Sequence, residues 1–93
     1  MGELDKRSLE LIEQRITAAE KGRADALYDL GLFYSTGQGV PRDYIAAHKW
    51  FNLAAIQGVQ RAAVDRQELA SEMSAAEVAQ AQRQAREWLA SRG

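Results

Sequence analysis

Apolar residues recur every three or four positions along most of the chain, and the recurrence stops or restarts at Gly22, Gly37, Gly39, Pro41 and Gly58. That spacing is the signature of amphipathic helices separated by short breaks. A first helix is predicted over 5–21. Leu9, Ile12, Ile16 and Ala19 share one face, and Leu11 and Ala18 widen it. Asp5 is placed as its N-cap, Leu4 and Leu9 as a hydrophobic staple, and Gly22 as a left-handed C-cap. A second helix over 24–35 aligns Ala24, Leu27, Tyr28, Gly31 and Tyr34, with Leu30 beside them and Arg23 as a poor N-cap. A third is predicted over 41–57, with Pro41 and Asp43 in its first turn and Tyr44, Ala47, Trp50 or Phe51, and Ala54 on one face. A fourth covers 60–73, with Ala62, Leu69 and Met73 apolar. The fifth opens on the capping box Ser74-x-x-Glu77 and continues with Val78, Ala81, Ala85, Trp88 and Leu89. No segment alternates with period two, so the fold class is all-α.

Gly31 is the one break-former that lies inside a helix, where it costs about 1 kcal/mol relative to alanine. A helix or large ring packed directly on its backbone offsets that cost. Trp50, on the facing third helix, is the expected occupant.

The helices also repeat. Residues 18–26, AAEKGRADA, correspond to 54–62, AAIQGVQRA, so Ala18, Ala19, Gly22 and Ala26 recur as Ala54, Ala55, Gly58 and Ala62. Later the offset slips, and Ala47-x-x-Trp50 becomes Ala85-x-x-Trp88. A unit of this length with two helices has the dimensions of a tetratricopeptide-like hairpin. Within 22–58 the chain supplies Leu30, Gly31, Tyr34, Gly37, Gly39, Val40, Asp43, Ala47, Trp50, Ala54, Ala55 and Gly58. This pattern resembles the Sel-one-like repeat, a relative of the tetratricopeptide repeat. The resemblance implies an α-α superhelix, here a short solenoid of about five antiparallel helices in a single domain, 1–93. Residues 5–21 are then the second helix of an N-terminal half repeat, 22–58 a full repeat, and 59–91 a degenerate C-terminal capping repeat. Arg66 departs from the pattern, falling where the repeat places Leu30.

Composition narrows the chemistry. The chain is 46% hydrophobic and 27% charged, which suits a globular domain, and its 17 alanines suit close helix approach. It contains no cysteine and one histidine, His48, so thiol chemistry, Cys-ligated zinc and a multi-histidine metal site are excluded. The net charge of −1 gives no general attraction to nucleic acid or anionic membranes. No apolar run is long enough to span a bilayer. The opening MGELDKRS lacks the apolar core of a signal peptide, so a cytoplasmic location is expected.

The remaining chemical candidates each have an ordinary structural explanation. His48 is expected to be solvated or half-buried, without a nucleophile at a pairing distance. Gly37-x-Gly39 lacks the Lys-Ser/Thr of a phosphate loop and joins two helices, so it is read as a turn. The acidic pairs Asp25/Asp29 and Glu68/Glu72 are read as solvated faces, with cation or basic-peptide binding as the alternative. Arg83, Arg86 and Arg92 interleave with Trp88, but five arginines face five acids over 60–93, so no basic stripe forms. Trp88 is read as core.

The resemblance implies a non-enzymatic protein–protein interaction module, an adaptor or scaffold of the kind found in bacterial signalling. Such a module binds a peptide or helix on the concave side formed by the first helix of each hairpin. By helical position, Tyr28, Asp29, Leu32 and Ser35 with Arg61, Asp65 and Glu68 are the candidate contact residues. No catalytic residue, cofactor or metal is expected. Two alternatives follow from the same reading. The apolar stripe on 5–21 lacks an upstream partner, which predicts a homodimer through that helix. Some relatives are proposed hydrolases, particularly cysteine-rich ones, and the absence of cysteine weakens that link here.

Overall fold

The computed structural model describes residues 6–92 as five helices: α1 (Lys6–Glu20), α2 (Ala24–Thr36), α3 (Tyr44–Ile56), α4 (Gln60–Ala70) and α5 (Ala75–Arg92). Leu4 and Asp5, the expected staple and cap, lie outside the described residues. Among those residues there is no strand, and no helix is long and apolar enough to cross a membrane.

The sequence repeat is a repeat of geometry. At the α1–α2 corner Gly22 has φ +83°, its N–H donates to Ala19, and the Arg23 N–H donates to Ala18 at 3.2 Å. At the α3–α4 corner Gly58 has φ +98°, its N–H donates to Ala55, and the Val59 N–H donates to Ala54 at 3.0 Å. Both are glycine-terminated helix ends of the Schellman type, which return the chain sharply enough for the next helix to pack back.

Two boundaries differ from the sequence reading. The third helix does not start at Pro41. Asp43 is extended (φ −150°, ψ 102°), its N–H donates to the Tyr34 carbonyl at 2.9 Å, and its carboxylate accepts from the Ala46 N–H at 3.1 Å. Asp43 is therefore the N-cap, and residues 37–42 form a loop tied back to α2. The fourth helix ends at Ala70 rather than Met73, because the chain must turn to form the next cap. That cap is the expected box: the Ser74 N–H donates to Glu77 Oε1 at 2.8 Å and the Glu77 N–H to Ser74 Oγ at 3.1 Å.

α3 is the hub, packing on α2, α4 and α5, while α1 packs on α2. Its buried face supplies Ala47, Phe51, Leu53 and Ala54, joined by Leu27 and Leu30 from α2, Ala62 and Leu69 from α4, and Ala85 from α5. Alanine at so many of these positions lets the helix backbones come close. The aromatic on Gly31 is Phe51, not Trp50. A Cβ on Gly31 would overlap the Phe51 ring, lying 2.9 Å even from its Cγ. Successive residues on a helix point about 100° apart, so only one of the two can face α2. Trp50 instead meets Trp88 of α5 edge-on at 6.1 Å, with the Lys49 ammonium 4.4 Å from its own ring centroid. Arg92 stacks 4.3 Å over Trp88 and donates to the Glu20 carbonyl, fastening the end of α5 to the α1–α2 corner. Arg66, the departure from the repeat pattern, replaces an apolar contact with a 2.6 Å hydrogen bond to Asn52 of α3.

Candidate functional site

A concavity of about 330 Å³ opens between α2 and α4. Tyr28, Leu32 and Ser35 form one wall, Arg61, Asp65, Glu68 and Glu72 the other, and Tyr44, Phe51 and Leu69 the floor. The walls follow from helix periodicity. Positions 28, 32 and 35 on α2 are one face, as are 61, 65, 68 and 72 along α4 and the turn that follows it. The floor follows from the Gly31–Phe51 contact, which carries the ring between the two helices. Tyr28 lies over that ring at 5.6 Å between centroids and donates its hydroxyl to Asp65 Oδ2 at 2.5 Å. Burial first, then the Asp65 carboxylate, push the Tyr28 phenol above its ordinary pKa. The hydroxyl therefore stays protonated at neutral pH and bridges the walls.

Six of the seven residues expected from helical position line this concavity. Asp29 does not. It accepts from Arg15 Nε at 3.2 Å, so it joins α2 to α1. Tyr44 and Phe51 come from α3, outside the first helices to which the resemblance assigns the contacts, whereas Leu69 and Glu72 lie on the α4 side, where Glu72 continues the spacing of Asp65 and Glu68. The pair Glu68/Glu72 was visible as an acidic feature. A larger recess of about 470 Å³, between α1 and the start of α2, is lined by polar side chains such as Glu10, Glu13, Gln14 and Lys21 and contains no aromatic ring.

The other chemical candidates have structural roles. The N–H groups of Gly37 and Gln38 both donate to the Phe33 carbonyl, and Gly39 lies against Ile12, where a Cβ would come 2.5 Å from Cδ1. The Gly-x-Gly loop thus closes α2 and packs on α1, with those amides unavailable to an anion. Trp88 is half-buried between Trp50 and Arg92, not a free stacking platform. Among the described residues no three acidic or histidine side chains gather to hold a metal ion.

His48 is the clearest correction. It is 3% exposed rather than solvated, and its Nδ1 has no hydrogen-bond partner. Burial, followed by the positive charge of Arg66, lowers its pKa. The unfolded chain therefore binds this proton more readily than the folded one. The stability His48 permits is complete above its unfolded value of about 6.5 and declines as pH falls through it. The urea midpoint is expected to drop between about pH 7.5 and 5.5, and His48→Leu to flatten that part of the curve. An unchanged slope in the variant would assign the dependence to other groups.

Neither the curated proteins nor the solved structures contain a match to the chain. The family comparison is positive: residues 24–59, which run from the start of α2 through the Gly58 corner, match the Sel1 repeat. The Gly31–Phe51 contact, the Asp43 cap and the Gly58 corner lie within that match, so residues 24–59 form a Sel1-like repeat within an all-α, tetratricopeptide-like architecture.

Proposed function

We propose that this protein is a non-enzymatic adaptor that holds a peptide or helix of another protein in the concavity between α2 and α4. The Sel1 repeat belongs to the helical repeats that mediate protein–protein interaction. One observation supports the finer reading: of the seven side chains that the resemblance and helical position together name, six line one concavity with an aromatic floor and a charged rim. Apolar anchoring with polar specificity at the edge is the usual division of labour in a protein interface. α1 then serves as the second helix of a half repeat, and α4 and α5 as a capping pair.

The test is affinity capture from the native cell with wild type and a Tyr28→Ala/Leu32→Ala variant, both checked for folding by circular dichroism. Loss of captured proteins from the variant supports the site, whereas equal capture of the same proteins overturns it. A second reading, self-association through α1, draws on Leu9 and Leu11, which remain 46% and 44% exposed. Light scattering against concentration separates that dimer from a monomer.

A further inference from the structure

The concavity carries an unbalanced charge. Its α4 side presents Asp65, Glu68 and Glu72 against one cation, Arg61, while the α2 wall presents Tyr28, Leu32 and Ser35 and no charge. The acids of α2 are held in ion pairs. Asp25 and Asp29 both pair with Arg15, and Asp25 also with Arg23 at 3.6 Å. Glu68 and Glu72 are exposed and form no ion pair among the described residues. Asp65 has one carboxylate oxygen engaged by Tyr28. Like charges at i, i+4 repel by a few tenths of a kcal/mol. Glu68 and Glu72 stand four residues apart at the C-terminal end of α4, beside the aromatic floor, with no ion pair to offset them among the described residues.

We propose that the concave site selects a basic segment of a partner protein, one that sets lysine or arginine side chains against Asp65, Glu68 and Glu72 and an apolar side chain against Leu32 and the Phe51–Leu69 floor. This inference rests on the concave-face reading and names the partner's chemistry. Spacing favours a chain over a single ion. Asp65 lies on α4 and Glu72 beyond its end, and the three carboxylates do not gather closely enough to hold one metal ion. Leu32, 37% exposed on the opposite wall, provides the apolar contact that fixes register.

Fluorescence anisotropy with two labelled synthetic peptides tests this on the full chain. One peptide combines lysine, leucine and serine; the other replaces each lysine with glutamate. The lysine peptide is expected to bind and the glutamate peptide not to. Glu68→Gln/Glu72→Gln should weaken binding about tenfold and reduce its salt dependence. Leu32→Ala should also weaken it, while Glu10→Gln/Glu13→Gln, at the polar recess near α1, should leave it unchanged. Equal binding of both peptides, abolished by Leu32→Ala, overturns the basic-partner inference and leaves the concave site standing. Lysine-peptide binding indifferent to Leu32→Ala and to the Glu68/Glu72 pair overturns both. Binding of neither peptide overturns the inference, and the concave reading then depends on the capture experiment.

Discussion

Phe51→Ala is expected to cost about 3–5 kcal/mol, the range for truncating a fully buried aromatic. Phe51 is 2% exposed and is one of the largest fully buried side chains. Its ring fills the space left by Gly31, lies under Tyr28 and floors the concavity, so three features collapse together. Small domains are stable by about 5–15 kcal/mol, so this one substitution removes a large share of the total. Chemical denaturation monitored by circular dichroism measures it directly. Trp50→Ala should cost less, because Trp50 is only half-buried and meets Trp88 at its edge. A Phe51→Ala protein as stable as wild type, or one more stable than Trp50→Ala, would overturn the assignment of Phe51 as the central packing residue.

Gly31→Leu is the second large effect. Glycine inside a helix is normally a liability, and replacement with a good helix former should gain up to about 1 kcal/mol from propensity. Here the sign reverses. A Cβ on Gly31 overlaps the Phe51 ring, and that ring is enclosed by the core, so it cannot swing away without displacing neighbours. Overpacking of this kind costs about 1–3 kcal/mol, and the branched leucine belongs at the upper end. A domain of this size loses about 4–8 °C of melting temperature per kcal/mol. The contact also predicts coupling. Gly31→Ala combined with Phe51→Leu should be less destabilised than the two single changes added together, because the smaller side chain vacates the space the new methyl needs. Strict additivity, or a Gly31→Leu protein that melts with wild type, would show that the helices tolerate separation at this point.

Both predictions turn on a detail that sequence reading placed one residue away. The requirement for a ring on Gly31 follows from the cost of glycine in a helix, and the facing helix follows from the hairpin. Trp50 and Phe51 both satisfy those conditions. Adjacent residues differ by about 100° around the axis, and only the rotation of α3 against α2 selects between them. The same limit applies to His48. Its neighbours in sequence, Ala47 and Lys49, say nothing about its enclosure, which arises from α3 being covered on three sides by α2, α4 and α5. Pro41 illustrates a different failure. Its fixed φ suits a first helical turn but also suits a loop, and the Asp43 bond to the Tyr34 carbonyl decided for the loop.

The candidate site was legible to the extent that it depends on period. Tyr28, Leu32 and Ser35, and Arg61, Asp65 and Glu68, follow helical spacing and meet where expected. Asp29 follows the same spacing and is drawn away by Arg15, a residue on another helix. Tyr44 and Phe51 enter the site from α3, the element that the hairpin rule assigns to the opposite side.

By itself the sequence determined the five helices, the glycine corners at 22 and 58, the capping box at 74–77 and the repeat that joins them. These are local: they depend on residues within a turn or two, where propensity, positive φ and capping hydrogen bonds act. The tertiary structure alone decided which ring fills the gap at Gly31, that His48 is buried, that Arg92 fastens α5 to the first corner, and that Asp65, Glu68 and Glu72 line one concavity with an aromatic floor and a single cation, Arg61. These depend on the rotation and approach of whole helices, set by the summed packing of many small side chains rather than by any one position in the chain.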